Sequence, residues 1–162
     1  MAGRGETDRE GPRGRNGGEG ARDPEEARIA PLIDTNVIVR YLTGEPAELA
    51  ARAARIVERS AALSVSTVVL AEAAHVLRSL YAYPREQIVD ALTEFVLREN
   101  IRPLGLDRPT LVQALAFCRP SGRVSVADAL LWAEARSSGA NVVYSLDASF
   151  PDQGIEVRDR WA

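Results

Sequence analysis

The chain has 162 residues, one cysteine, one histidine and a net charge of −3 at pH 7, and 46% of its residues are hydrophobic. This length suits one globular domain with its own core. The single cysteine excludes an internal disulfide and a zinc site built from several cysteines. No apolar run approaches the roughly 18 residues of a membrane span, and the N-terminus lacks the apolar stretch of a secretory signal. We therefore expect a cytoplasmic protein.

The basic residues are unusual in type. All twenty are arginine, and the chain contains no lysine, which excludes chemistry that depends on a lysine amine. A mildly acidic chain is not built to hold nucleic acid through its overall charge. Any contact with nucleic acid must therefore come from a local group of arginines.

Residues 1–27 differ in composition from the rest of the chain. They are rich in Gly, Arg and Glu and have almost no large apolar side chain, so they cannot bury enough surface to offset the entropy of ordering. The pattern predicts a disordered N-terminal tail, or sequence read from a start codon placed too far upstream. The ordered domain is expected over residues 28–162.

Beyond the tail, hydrophobic spacing and helix caps predict alternating strands and helices. Ser66 or Thr67 is placed to cap one helix, and Gly139 to end another. In chain order we predict a strand at 29–33, helices at 37–42 and 47–59, a strand at 63–66, helices at 67–80 and 84–98, a strand at 101–104, a helix at 107–118, a helix at 125–139, a strand at 141–145 and an edge strand at 156–158. This order predicts an α/β fold with a mainly parallel, open sheet and helices on both faces.

Four acidic residues stand out by position. In open α/β sheets, ligands bind beyond the carboxyl ends of the strands. Asp34 directly follows the first predicted strand and Asp147 the fourth, while Glu72 and Asp128 lie near the starts of two helices. All four can project to the same edge of the sheet. The other acids mostly fall on helix faces or connectors that should be solvated.

Four carboxylates in one crevice repel each other unless a cation is present. Oxygen-only ligands suit Mg²⁺ or Mn²⁺, and such a site suits the hydrolysis of a phosphodiester bond. Each acid also has a simpler interpretation. Asp34 and Asp128 can be helix caps, the latter in Ser125-Val126-Ala127-Asp128, and Asp147 can be a turn residue. Glu72 is flanked by apolar residues, so we expect it to be mostly buried and to need a partner.

Other chemistry finds little support. His75 follows Glu72 at the spacing of di-iron helices, but that site needs a second such pair, and this is the only histidine. We expect His75 to pack beside the site or at a helix contact, and Cys118 to be a buried structural thiol. Neither GxGxxG nor GxxxxGK[ST] occurs. A phosphoacceptor domain would need paired acids after the first strand and a lysine.

The four acids lie in motifs that resemble the PIN-domain family, and within it the VapC toxins of bacterial toxin–antitoxin pairs. Over about residues 31–158, the resemblance rests on Pro31-Leu32-Ile33-Asp34-Thr35-Asn36-Val37, on Val69-Leu70-Ala71-Glu72, on Asp128-Ala129-Leu130-Leu131, and on Ser145-Leu146-Asp147 with Phe150. It implies a PIN-like, three-layer α/β/α sandwich with four or five strands.

The resemblance also implies a function. It implies a Mg²⁺- or Mn²⁺-dependent endoribonuclease that cleaves RNA, forms a homodimer and is inhibited by a cognate antitoxin. Asp34 and Asp128 would bind the metal directly, and Glu72 and Asp147 directly or through water. Asn36 and Ser145 would support the site; many relatives have threonine in place of Ser145.

Three arginines are predicted to contact RNA phosphates: Arg40, Arg119 and Arg123. The alternative for each is a solvated surface arginine. The alternative for the whole chain is a PIN-like module that binds RNA or protein without cutting, and a further alternative is a metal-dependent DNA nuclease.

Overall fold

The first strand predicted from the sequence is reduced to a single bridge. In the computed structural model, which describes residues 29–120 and 123–161, Leu32 pairs with Ser64 in parallel. The backbone N–H of Ile33 donates to Ser64 O at 3.0 Å, and the N–H of Ser64 donates to Pro31 O at 2.8 Å. Pro31 has no N–H with which to extend the ladder. The next helix begins at Thr35, two residues after Ile33. The predicted tail, residues 1–27, lies outside the described residues.

The other predicted elements are confirmed within a few residues. The helices are α1 (Thr35–Thr43), α2 (Ala47–Arg59), α3 (Thr67–Ser79), α4 (Arg85–Leu97), α5 (Arg108–Cys118) and α6 (Val126–Ser138), and the strands are β1 (Leu63–Val65), β2 (Ile101–Pro103), β3 (Val142–Tyr144) and β4 (Glu156–Arg158). Ser66 and Ser125 cap α3 and α6 with their side chains. Gly139 ends α6 with φ of 76°, a left-handed conformation that glycine adopts without strain.

The strands form two parallel pairs. Within the described residues, β1 pairs with β2, and β3 pairs with β4. The parallel α/β character is therefore confirmed, but each named strand has only three residues. A continuous sheet of four or five strands, and the three-layer arrangement, stay predictions.

Helices supply most of the core. α3 lies at the centre, in contact with α1, α4 and α6, while α5 packs on α4 and α6. Trp132 of α6 is buried, contacts Phe117 edge to face and donates its indole N–H to Gln153 O at 3.1 Å. Cys118 is fully buried, as expected, and burial raises the pKa of its thiol to about 11.

None of the helices in the described part of the chain has the length and apolarity that crossing a membrane requires.

Candidate functional site

Asp34 stands at the junction between the bridged segment and α1. Its backbone is extended, and its side chain makes no capping hydrogen bond to the helix. The interpretation of Asp34 as a side-chain cap therefore has no support in the structure. The residue is exposed, and it lies at the carboxyl end of the bridged segment, where parallel α/β folds bind ligands.

Glu72 is joined to the start of α1 by a direct hydrogen bond. The hydroxyl of Thr35, which is only 5% exposed, donates to Glu72 Oε2 at 2.6 Å. This bond places Glu72 beside the residue that follows Asp34. Asp34 and Glu72 therefore belong to one region, which we call the α1–α3 acid pair.

The expectation that Glu72 is mostly buried is wrong. Glu72 is exposed, as are Val68, His75 and Ser79 on the same helix. These positions recur every three or four residues, so they form the outward face of α3. The residues next to Glu72 in sequence are apolar, but their side chains lie on other faces of α3. Thr35, rather than a buried environment, orients the carboxylate.

Asp128 lies in the first turn of α6 and is half-buried. The hydroxyl of Ser125 donates to Asp128 Oδ2 at 2.5 Å, and the backbone N–H of Asp128 donates to Ser125 Oγ at 3.0 Å. Ser125 caps the helix, and Asp128 accepts a hydrogen bond from the hydroxyl of Ser125 with one carboxylate oxygen. The predicted capping role is thus partly correct, because the cap is Ser125 and Asp128 is its partner.

Asp147 is exposed in the loop after β3. Its Oδ1 lies 2.6 Å from Ser149 Oγ and 2.8 Å from the Ser149 N–H. The hydroxyl and then the N–H of Ser149 hold the pKa of Asp147 below its ordinary value. The predicted alternative of a turn residue therefore describes its local geometry. The Oγ of Ser145 accepts a hydrogen bond from the N–H of Asp147 at 3.1 Å; its supporting role in the site stays a prediction.

The loop of Asp147 packs beside the segment that leads to Asp128. Ser149 Oγ lies 3.0 Å from Arg123 O, and Arg123 is two residues before Ser125, the partner of Asp128. Asp128 and Asp147 therefore form a second region, which we call the α6–β3 acid pair.

The two acid pairs are carried in part by α3 and α6, which pack against each other. The hydroxyl of Thr67, at the start of α3, donates to Glu134 Oε1 in the third turn of α6, while residues in the middle of α3 share a hollow with Ser125 and Ala127 at the start of α6. The two helices therefore run antiparallel. At 1.5 Å per residue, Glu72 lies about 7.5 Å beyond Thr67, and Asp128 about 9 Å before Glu134. The two carboxylate-bearing positions thus stand at similar heights.

The pairs do not form a ready-made metal cage. Within residues 29–120 and 123–161, no three side chains of His, Cys, Asp or Glu come close enough together to hold a metal ion. The donors are nevertheless all carboxylate oxygens, which fit Mg²⁺ or Mn²⁺ in type. Mg²⁺ keeps several of its waters and needs only one or two direct carboxylates, so the residues present fit such an ion without a complete cage.

The predicted supporting and RNA-contacting residues lie in different surroundings. Asn36 is exposed and, with Arg40, lines a hollow between α1 and α2. Arg40 is half-buried and donates through Nη1 to Tyr81 Oη at 2.6 Å and to Glu45 O at 3.0 Å. Its guanidinium thus braces the end of α1.

The other two arginines lie at either end of the loop before α6. Arg119 forms two bonds to the carboxylate of Asp90, at 2.8 and 3.0 Å, and this contact lowers the pKa of Asp90 and raises that of Arg119. Arg123 is exposed and shares a hollow with Asp147 and Ser149. Arg123 therefore lies beside an acid of the candidate site.

Sequence reasoning missed the hydroxyl partners of the acids. Thr35 was noted only as part of a motif, and Thr67 only as a cap, yet both are buried and bind glutamates 37 and 67 residues away. Glu134 was not singled out at all. Their common signal is a threonine at the first position of a helix, directly after the N-cap residue.

A known protein family matches most of the chain. Residues 32–155 match the family described as PIN domain, a range that includes both acid pairs. No curated protein matches the chain.

Proposed function

The chain belongs to the PIN-domain family, whose members are generally nucleases, and on that premise we propose that it is a Mg²⁺- or Mn²⁺-dependent endoribonuclease. One observation carries the proposal. Two carboxylate pairs, one ordered by Thr35 and the other by serines, lie on helices and a loop that pack together. Such an arrangement suits phosphodiester hydrolysis.

Each acid has a proposed part. Asp34 and Asp128 would hold the cation, because one is uncapped and the other keeps one carboxylate oxygen outside its bond to Ser125. Glu72 and Asp147 would complete the site directly or through water. Ser149 keeps Asp147 ionised to a lower pH than an ordinary aspartate. A bound cation would supply Lewis-acid chemistry, by neutralising charge on the phosphodiester.

The test is RNA cleavage by the purified chain with and without Mn²⁺. Asp34→Ala and Asp128→Ala should abolish cation-dependent cleavage, while Asp152→Asn, a change of another exposed aspartate, should leave it intact. Undiminished cleavage by both alanine variants would overturn the proposal. Parallel assays on single-stranded DNA of the same sequence separate a ribonuclease from a DNA nuclease.

A second candidate function, a non-catalytic module that binds RNA or protein, is favoured by one observation. No three metal-binding side chains converge in the described residues. A ligand that binds only the native state must stabilise it, by about 2.7 kcal/mol at a concentration 100 times the Kd. A rise in Tm with Mn²⁺ that is lost in Asp34→Ala favours the enzyme, and an unchanged Tm favours the module.

We further propose that the chain is the VapC-like toxin of a toxin–antitoxin pair, acts in the cytoplasm and forms a homodimer. Arg40, Arg119 and Arg123 would contact RNA phosphates, Arg123 foremost because it lies beside Asp147. Three observations test this proposal: growth arrest on expression, a small neighbouring reading frame whose product relieves that arrest, and a dimer mass by light scattering. Absence of growth arrest by a demonstrably active nuclease would contradict the toxin role.

A further inference from the structure

A hollow lies between α3, α4 and the start of α6, next to the candidate site. Its floor is apolar and includes Ala71, Ala74, Ile88 and Val89. Its volume is about 200 Å³, smaller than the roughly 300–1,000 Å³ typical of sites for drug-sized ligands, so it has room for only a small group. Neither the acid pairs nor the core uses this space.

Apart from Ser125, the polar side chains of the hollow belong to arginine and histidine. His75, Arg78 and Arg85 line it, and among its described lining residues none carries a carboxylate. This contrasts with the net charge of −3 of the whole chain. Arg85 donates through Nη1 to Val124 O at 2.7 Å, which fixes the segment before α6 against α4. His75 and Arg78 are exposed on α3. The hollow therefore suits an anionic ligand with an apolar part.

Several residues that line the hollow are neighbours of the candidate acids along the chain. On α3, Ala71 directly precedes Glu72, and His75 follows it by one turn. On α6, Ser125 and Ala127 line the hollow immediately before Asp128. If an RNA chain binds with one phosphate at the candidate acids, its neighbouring nucleotide would thus lie at the hollow.

We infer that the hollow is a subsite for one unpaired nucleotide of single-stranded RNA, with the base against the aliphatic floor and the phosphate held by Arg78. The inference rests on the proposed ribonuclease function. It adds that the hollow is where the protein selects the base of its RNA substrate. Proteins read single-stranded RNA by taking splayed bases into shaped pockets, and arginine binds phosphate with several donors. The described lining has no aromatic ring, so shape rather than stacking selects the base.

Binding can be measured apart from cleavage. A short fluorescein-labelled single-stranded RNA is titrated with the full chain in EDTA, where no divalent cation is free, and anisotropy gives the Kd. Arg78→Ala should raise the Kd on the order of tenfold, the loss of a charge-assisted hydrogen bond. Ala127→Trp, at an exposed position on the rim, should raise it similarly by filling the hollow. Arg55→Ala, on the exposed surface of α2, is the charge-matched control and should stay within about twofold.

With Mn²⁺ present, the same variants should raise KM more than they lower kcat, and Ala127→Trp should change which bases flank the cut. Wild-type affinity in both Arg78→Ala and Ala127→Trp would overturn the subsite while leaving cleavage, and the proposed function, untouched. Weakened RNA binding in these two variants, in a chain that never cleaves, would keep the subsite and overturn the nuclease. Equal weakening in Arg55→Ala would also overturn the subsite, because only general charge would then matter.

Discussion

The two acid pairs are ordered in different ways. In the α1–α3 pair, Thr35 binds Glu72 across 37 residues of sequence, and Asp34 makes no cap bond. In the α6–β3 pair, Asp128 and Asp147 are each held by a serine two or three residues away. The first pair depends on tertiary packing, whereas the second is set by local turns. A cation site built from both pairs would combine three carboxylates held by hydroxyl groups with Asp34, which makes no capping bond.

The largest effect is expected at Asp34, because no capping bond occupies its carboxylate. Asp34→Asn removes the charge at nearly constant size and should lower cleavage by about 100-fold or more, beyond the loss typical of residues that only orient a metal ligand. Stability should change little, since the residue is exposed. Cleavage rates and thermal melts of Asp34→Asn are compared with those of the control Asp152→Asn. Equal cleavage activity in the two variants would show that Asp34 is not part of the site.

The tertiary bond itself can be tested with two matched threonines. Thr35→Val and Thr67→Val each delete one buried hydroxyl that binds a glutamate. Each should lose about 1 kcal/mol of unfolding free energy. Thr35→Val should also lower cleavage by roughly tenfold, and more than Thr67→Val does, because Glu72 is a candidate site residue whereas Glu134 only joins α3 to α6. Chemical denaturation and cleavage rates measure both effects. Equal losses of activity would mean that Thr35 acts through stability alone.

The local order of the second pair depends on Ser149. Ser149→Ala removes the main cause of the lowered pKa of Asp147 and leaves only the backbone N–H. The pKa of Asp147 should therefore move up toward its ordinary value. In the native protein, a lowered pKa stabilises the fold above the unfolded-state pKa, and this contribution is lost as the pH falls through the folded value. NMR titration of the carboxyl measures the shift, and an unchanged pKa would contradict the role of Ser149.

The smallest effect on cleavage is expected for a change of Cys118, which lies next to the α6–β3 acid pair. Cys118 is buried with its Sγ 3.5 Å from Ser125 O, and its pKa of about 11 keeps it a neutral thiol at physiological pH. Native protein should resist alkylation at pH 7.5, and Cys118→Ala should cleave RNA at the wild-type rate despite a modest loss of stability. Rapid modification of the native thiol, followed by mass spectrometry, would show that this region opens.

The contrast between local and tertiary order also explains what sequence could predict. Helix starts at Asp107 and Ser125 and a helix end at Gly139 were correctly predicted, and Ser66 is the cap among the two candidates, Ser66 and Thr67. Such predictions succeed because caps depend on a few neighbouring residues. The first strand was overestimated, because strand pairing is non-local and Pro31 cannot extend it. The burial of Glu72 was misjudged, because apolar neighbours in sequence say nothing of which helix face a residue occupies.

Partners distant in sequence were beyond prediction. The bonds from Thr35 to Glu72, from Arg40 to Tyr81 and from Arg119 to Asp90 span 37, 41 and 29 residues. No local pattern encodes such contacts, since they depend on how helices pack. The four acids were placed by strand ends and helix starts, but the hydroxyls that order them were not.

The most direct test of the central claim is a crystal of the Mn²⁺-soaked protein, examined by anomalous diffraction. We expect an anomalous peak between the two acid pairs, within about 2.0–2.4 Å of a carboxylate oxygen of Asp34 or Asp128, and no such peak in Asp34→Asn. A well-occupied peak elsewhere, or none at the acids at saturating Mn²⁺, would contradict a single cation site.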